Sequence, residues 1–207
     1  MITRSMATFI PILAMLVAPR VILAEGPIMI ERQDAYVHRG SGFIFPAAAG
    51  DYQRTGLIEY DVAATDVSAG YQTMTPGRET VMTIYVYPAP EVPAETRAAE
   101  IDAVQDKLCA DHFEDIKAGI VQSHPGAVLI EEGRTTSPAP GSFAHAGRRA
   151  VFGFSSAFRG KEQPLRSEAD LFCYVGGKWL IAYRTTAPTA VRYEAELAAL
   201  MQRLRWP

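Results

Sequence analysis

Apolar and polar positions alternate with a period of two in two blocks of this chain, and each block is followed by a segment with helical spacing. In the first block, Tyr36-Val37 and Phe43-Ile44-Phe45 read as short strands, the second closed by Pro46, which cannot donate to a ladder. Residues 47–50 read as a loop. Over 57–63, Ile58, Tyr60 and Val62 alternate with Glu59 and Asp61, and over 67–74, Val67, Ala69 and Tyr71 share a face. The turn signal Thr75-Pro76-Gly77-Arg78 leads to 81–87, a β-branched and aromatic run that stops at Pro88. The connections are short, so the pairing is expected to be antiparallel. A long helix is then expected from about Pro93, with Glu95, Glu100 and Asp102 toward its positive end. Ile101, Val104, Leu108, His112, Ile116 and Ile120 fall on one face, and Pro125-Gly126 ends the helix before Ser123.

The second block repeats sheet then helix. Strands are expected at 127–131, 148–155, 166–175 and 178–186, with loops at 133–147 and 156–164. Gly176-Gly177 can take the positive φ of a tight hairpin turn. After Pro188, Thr189 is placed as the cap of a final helix with Tyr193, Leu197, Leu200, Met201 and Leu204 as its apolar stripe. The expected fold is one α+β domain over 25–207: an antiparallel sheet packed by two amphipathic helices, in the order four strands, helix, four strands, helix. This element order, over roughly 35–205, resembles the PsbP-like α/β sandwich family of photosystem II extrinsic subunits and exported bacterial proteins. The resemblance implies that sandwich and assigns no functional residue.

The segment before this domain has its own pattern. Arg4 precedes an apolar run at 7–18, and Ala24 precedes Glu25, which reads as a signal peptide over 1–24 cleaved after Ala24, with Ala18 as the alternative site. The apolar run is shorter than the ~20 residues of a membrane-spanning helix. The expected location is periplasmic or secreted, with no membrane attachment once the peptide is removed. Removal takes away Arg4 and Arg20 and no acid, so the net charge of −3 becomes more negative. That balance gives no general attraction to nucleic acid. The absence of Asn excludes an Asn-linked glycosylation sequon.

Candidate chemistry is sparse. Cys109 and Cys173 are the two cysteines, an even number that favours a disulfide in an oxidising compartment, against the alternative of two separate buried thiols. Cys109 and His112, with His38, His124 or His145, match no zinc spacing. Ser155-Ser156 after a strand, with His145, carries no G-x-S-x-G elbow. Arg148, Arg149, Arg159, Lys161 and Arg166 could receive an anionic partner, although Glu162 and Glu168 dilute them. Tyr71, Tyr85, Tyr87, Phe152 and Phe154 are placed on one sheet face, a binding surface if nothing covers it. The functional expectation is a non-enzymatic protein that binds a small molecule or a protein partner and needs no cofactor. The alternatives are a hydrolase assembled from loops 133–147 and 156–165, and a metal-binding protein.

Overall fold

The structure is a computed structural model that describes residues 26–73, 75–137 and 146–206. The expected signal peptide and His145 lie outside these residues. Eleven strands are present among the described residues: β1 (Ile28–Met29), β2 (Tyr36–Val37), β3 (Ile44–Phe45), β4 (Ala48–Ala49), β5 (Tyr52–Glu59), β6 (Val67–Thr73), β7 (Val81–Pro88), β8 (Val128–Thr136), β9 (Ala146–Phe158), β10 (Lys161–Val175) and β11 (Trp179–Pro188). Two α-helices accompany them, α1 (Ile101–Ser123) and α2 (Glu194–Met201), and a 3-10 turn at Ala98–Glu100 leads into α1.

Nine strands form one antiparallel sheet in the order β1-β5-β6-β7-β11-β10-β9-β8, with β4 also paired to β5. The seam that joins the two sequence blocks is the β7–β11 ladder, where Ile84 stands opposite Tyr183. β2 and β3 pair separately.

The protein is therefore mostly β, which corrects the expected α+β fold of two four-strand blocks packed by two amphipathic helices. Local turn signals were outweighed by continuous ladders. The expected loop at 156–164 is instead the tight end of the β9–β10 hairpin, which turns at Arg159-Gly160 with φ of 50° and 78°. Only a short turn with positive φ lets both strands run to its edge. The expected loop at 133–147 is strand at both ends, since β8 reaches Thr136 and β9 starts at Ala146. The last helix begins at Glu194, without a side-chain cap from Thr189.

The two faces of the sheet follow from side-chain alternation along the strands. Along β7, Met82, Ile84 and Val86 point to one face and Thr83, Tyr85 and Tyr87 to the other; along β11, Ile181 and Tyr183 oppose Leu180, Ala182 and Arg184. The first face is closed by α2 and the β2–β3 hairpin. Tyr193, Leu197, Leu200, Met201 and Leu204 form the expected stripe of α2, all buried against Tyr71, Ile84, Phe172 and Tyr183. Tyr71 thus lies on this closed face, apart from Tyr85, Tyr87 and Phe152 of the second face and from Phe154, which packs with Phe158 and Leu165.

The second face carries α1. Its buried residues are Cys109, Phe113 and Ile120, a seam rotated from the expected line through Leu108 and His112. They pack on Ala150, Phe152, Ala169, Leu171, Leu180 and Ala182 of β9, β10 and β11. Cys109 and Cys173 form a disulfide with a Cα–Cα distance of 6.0 Å, which fastens the helix to β10. Ion pairs from Lys117 to Glu132 and from Asp106 to Arg134 and Arg148 add contacts at the β8 side, each contributing little because it is solvated. No described helix is long and apolar enough to cross a membrane.

Candidate functional site

The helix α1 packs on β9, β10 and β11, and Thr83, Tyr85 and Tyr87 of β7 beside it stay partly exposed. The step between helix and sheet is a cleft of about 430 Å³, within the range of small-molecule sites, roughly 300–1,000 Å³. One wall is the flank of α1, where His112, Ile116, Gly119 and Ile120 turn toward it. Its floor is Ala182 and Arg184 of β11 with Tyr85 and Tyr87 of β7, and its far rim is Tyr60 and Asp66. A second, smaller depression of about 310 Å³ shares Tyr85 and Arg184 and continues past the end of α1 to His124, Phe154 and Ser156.

Most polar groups around the cleft are tied to the protein. The Tyr87 hydroxyl and His112 Nε2 share a hydrogen bond of 2.8 Å, and the Tyr60 and Ser68 hydroxyls one of 3.0 Å. Ser123 donates to the carbonyl of Gly119 at 2.6 Å. Burial pushes the His112 imidazole below its usual range, with Asp115 acting weakly the other way, so the ring is neutral at pH 7. His124 stacks on Phe154 at 4.2 Å between ring centroids. Burial first, and the charge of Arg184 second, lower its pKa.

Two charged groups in the cleft are untied. Arg184 is half-buried, and its guanidinium makes no ion pair or hydrogen bond among the described residues. Burial lowers its pKa, opposed by the Tyr85 phenol beside it, yet a guanidinium stays charged at any physiological pH. The Asp66 carboxyl is likewise half-buried and unpaired among the described residues; burial and the charge of Asp61 raise its pKa. Desolvating a charge without a counter-ion is costly, so these groups mark where the sheet is polarised for something other than its own packing.

The expected anion-receiving residues take different positions. Alternation along β9 puts Arg148 and Arg149 on opposite faces. Arg148 reaches Asp106 of α1 at 2.9 Å, while Arg149 meets Asp170 at 2.7 Å and Glu168 at 3.1 Å on the closed face. Arg166 is shared between Glu168 at 3.2 Å and Glu194 at 2.9 Å. Arg159 donates to Gln72 and to the Thr73 carbonyl, and Lys161 is exposed at the start of β10. These five are thus dispersed over both faces and the hairpin end. The disulfide removes Cys109 as a thiolate ligand, and no group of three or more His, Cys, Asp or Glu suited to a metal is present among the described residues.

Arg184 was missed by sequence reading, yet it had a signal. It is a charged residue directly after the run Trp179-Leu180-Ile181-Ala182-Tyr183, at a position whose preceding neighbours on the same face, Leu180 and Ala182, are apolar. A charge in such a strand is rarely left without a partner. The acid pair Glu168 and Asp170, two residues apart on one face of β10, was read only in part: Glu168 was seen as diluting the arginines, and Asp170 was not singled out.

Comparison with known proteins gives no match: none among protein-family models, none among curated proteins and none among solved structures.

Proposed function

We propose that this chain is an exported, non-enzymatic binding protein whose ligand is a small molecule held in the cleft between α1 and the strands β7 and β11. The observation that carries this reading is the half-covered sheet face: a cleft of about 430 Å³ into which Tyr85, Tyr87 and Arg184 face. Export is supported by the N-terminal pattern of residues 1–24 and by the Cys109–Cys173 bridge, since disulfides persist in oxidising compartments. Binding is favoured over catalysis because, among the described residues, most polar groups around the cleft are tied in pairs, such as Tyr87 with His112 and Ser123 with Gly119, instead of being set as an aligned nucleophile, base and acid.

The test uses mass spectrometry on the full-length chain secreted by a bacterial host. The denatured mass is expected to show cleavage after Ala24 and two cysteines without their hydrogens. The native mass is expected to carry a discrete small-molecule adduct. Gly119 lines the cleft and has open space where a Cβ would stand, so Gly119→Phe should fill the cleft without strain and abolish the adduct. A bare native mass, or an adduct unchanged in Gly119→Phe, would contradict the reading.

A further inference from the structure

We infer that the ligand of this cleft is an amphipathic monoanion, a small carboxylate with an apolar body, whose head group is bound by Arg184. The inference rests on the reading of the cleft as a binding site and specifies what the site selects.

Three observations lead to it. The first is the charge of the floor. Arg184 projects from the middle of β11 with Ala182 two residues before it on the same face, Thr83 directly across the ladder and Tyr85, opposite Ala182, on the diagonal, and it has no carboxylate partner among the described residues. Elsewhere the fold gives its partly buried arginines protein partners: Arg148 with Asp106, Arg149 with Asp170, Arg166 with Glu168 and Glu194, and Arg54 with the backbone carbonyls of Arg32, Asp34 and Phe45. A guanidinium presents a planar fork of donors that suits a carboxylate in particular. The missing counter-ion at Arg184 is therefore the part a ligand would supply.

The second observation is the wall. Ile116 and Ile120 of α1, with the rings of Tyr85 and Tyr87, give the rest of the cleft an apolar lining. A bare inorganic anion would leave that surface wet, whereas an alkyl or aryl body would cover it. The third is Asp66, which faces the same cleft unpaired. A second negative charge on the ligand would stand against this carboxyl, so a monoanion fits where a dianion does not.

The experiment is isothermal titration of the mature, oxidised protein with three probes of one tail length: octanoate, octan-1-ol and octylammonium. Octanoate is expected to bind roughly 10- to 100-fold more tightly than octan-1-ol, the contribution of a hydrogen bond to a charged group. Arg184→Met should bring octanoate to the level of octan-1-ol, and Arg184→Lys should recover part of the difference. Because Arg184 makes no ion pair or hydrogen bond among the described residues, both variants are expected to fold; a far-UV spectrum and melting curve verify this.

Equal affinity for octanoate and octan-1-ol, preference for octylammonium, or octanoate binding unchanged in Arg184→Met would each overturn the anion inference. All three leave the cleft a binding site. No binding of any probe to a folded protein would overturn both the inference and the reading beneath it.

Discussion

The two faces of the sheet handle buried charge in opposite ways. On the face closed by α2, Glu168 and Asp170 are 3% and 2% exposed, and the structure surrounds them with Arg149, Arg166 and the Tyr193 hydroxyl. On the face partly covered by α1, Arg184 and Asp66 are half-buried and each is left without a protein partner among the described residues. A matched cluster satisfies its own desolvation cost and specifies packing. An unmatched charge beside an apolar wall leaves part of that cost standing, and stability given up in this way is characteristic of binding sites. The difference separates a face built for folding from a face built for recognition.

The sharpest way to break the comparison is to cut into each face in turn. Phe172 is fully buried on the closed face, with its ring 6.0 Å from Tyr183 and 5.0 Å from Trp206. Phe172→Ala should lower the unfolding free energy by about 3–5 kcal/mol, read from urea denaturation, because little around it can collapse into the void. Tyr85→Ala on the open face should cost well under half of that. Similar losses at the two positions would erase the distinction.

Next comes the attachment of α1. Three side chains of this helix are buried, Cys109, Phe113 and Ile120, and one of them is a bridge sulfur. The bridge closes a loop of 64 residues, and the double variant Cys109→Ala, Cys173→Ala should lose about 2–4 kcal/mol. Hydrogen exchange on that variant should show α1 opening before β7, β10 and β11. Uniform loss of protection across helix and sheet would show instead that the two faces unfold as one unit.

A smaller effect concerns the buried acids. Desolvation first, then the negative charge of Asp170, push the Glu168 carboxyl up to about 7. In the unfolded chain Glu168 loses its proton in the ordinary glutamate range, so between that range and about pH 7 the native state holds the extra proton. Its stabilising contribution is complete at acidic pH and is lost as pH rises through about 7. Measured between pH 5 and pH 8, the wild type should lose on the order of 1–3 kcal/mol more than Glu168→Gln. Parallel pH profiles would place the titration elsewhere.

The smallest expected changes are on the open side. Arg184→Met removes an unpaired, half-buried charge and should leave the ligand-free protein as stable as wild type or more stable by up to ~1 kcal/mol, read by thermal melting. A clear loss would mean that Arg184 supports the fold. Val128→Thr on the exposed edge strand β8 should stay within about 0.5 kcal/mol of wild type.

Much of this architecture could be read from the chain. The strands at 67–73 and 81–88, the hairpin at Gly176-Gly177, the apolar stripe of α2 and the pairing of Cys109 with Cys173 all follow from period, turn chemistry and cysteine number. What could not be read is how far a ladder extends once its neighbour exists. Polar segments such as 133–136, 156–158 and 161–163 look like loops by composition, yet they are strand because β9 pairs with β8 on one side and β10 on the other. The β7–β11 seam, which fuses the two blocks into one sheet, joins residues about a hundred positions apart and leaves no local trace. Gly147 shows a similar dependence: a Cβ there would stand 2.6 Å from the Phe172 ring, a closeness visible only after β9 and β10 are paired. The cleft is equally non-local. Tyr85, Tyr87 and Arg184 were each visible as residues, but their meeting beside α1 depends on which strands the helix leaves uncovered.

The central claim, that the open face is the recognition surface and Arg184 its anchor, is tested most directly by heteronuclear NMR of the mature protein titrated with octanoate. The account predicts saturable shifts of the Arg184 side-chain Nε resonance and of amides in β7, β11 and the Ile116–Ile120 turn of α1, with the resonances of α2 and of the Glu168–Asp170 segment nearly still. Shifts centred on the closed face, or a spectrum that octanoate leaves unchanged, would contradict it.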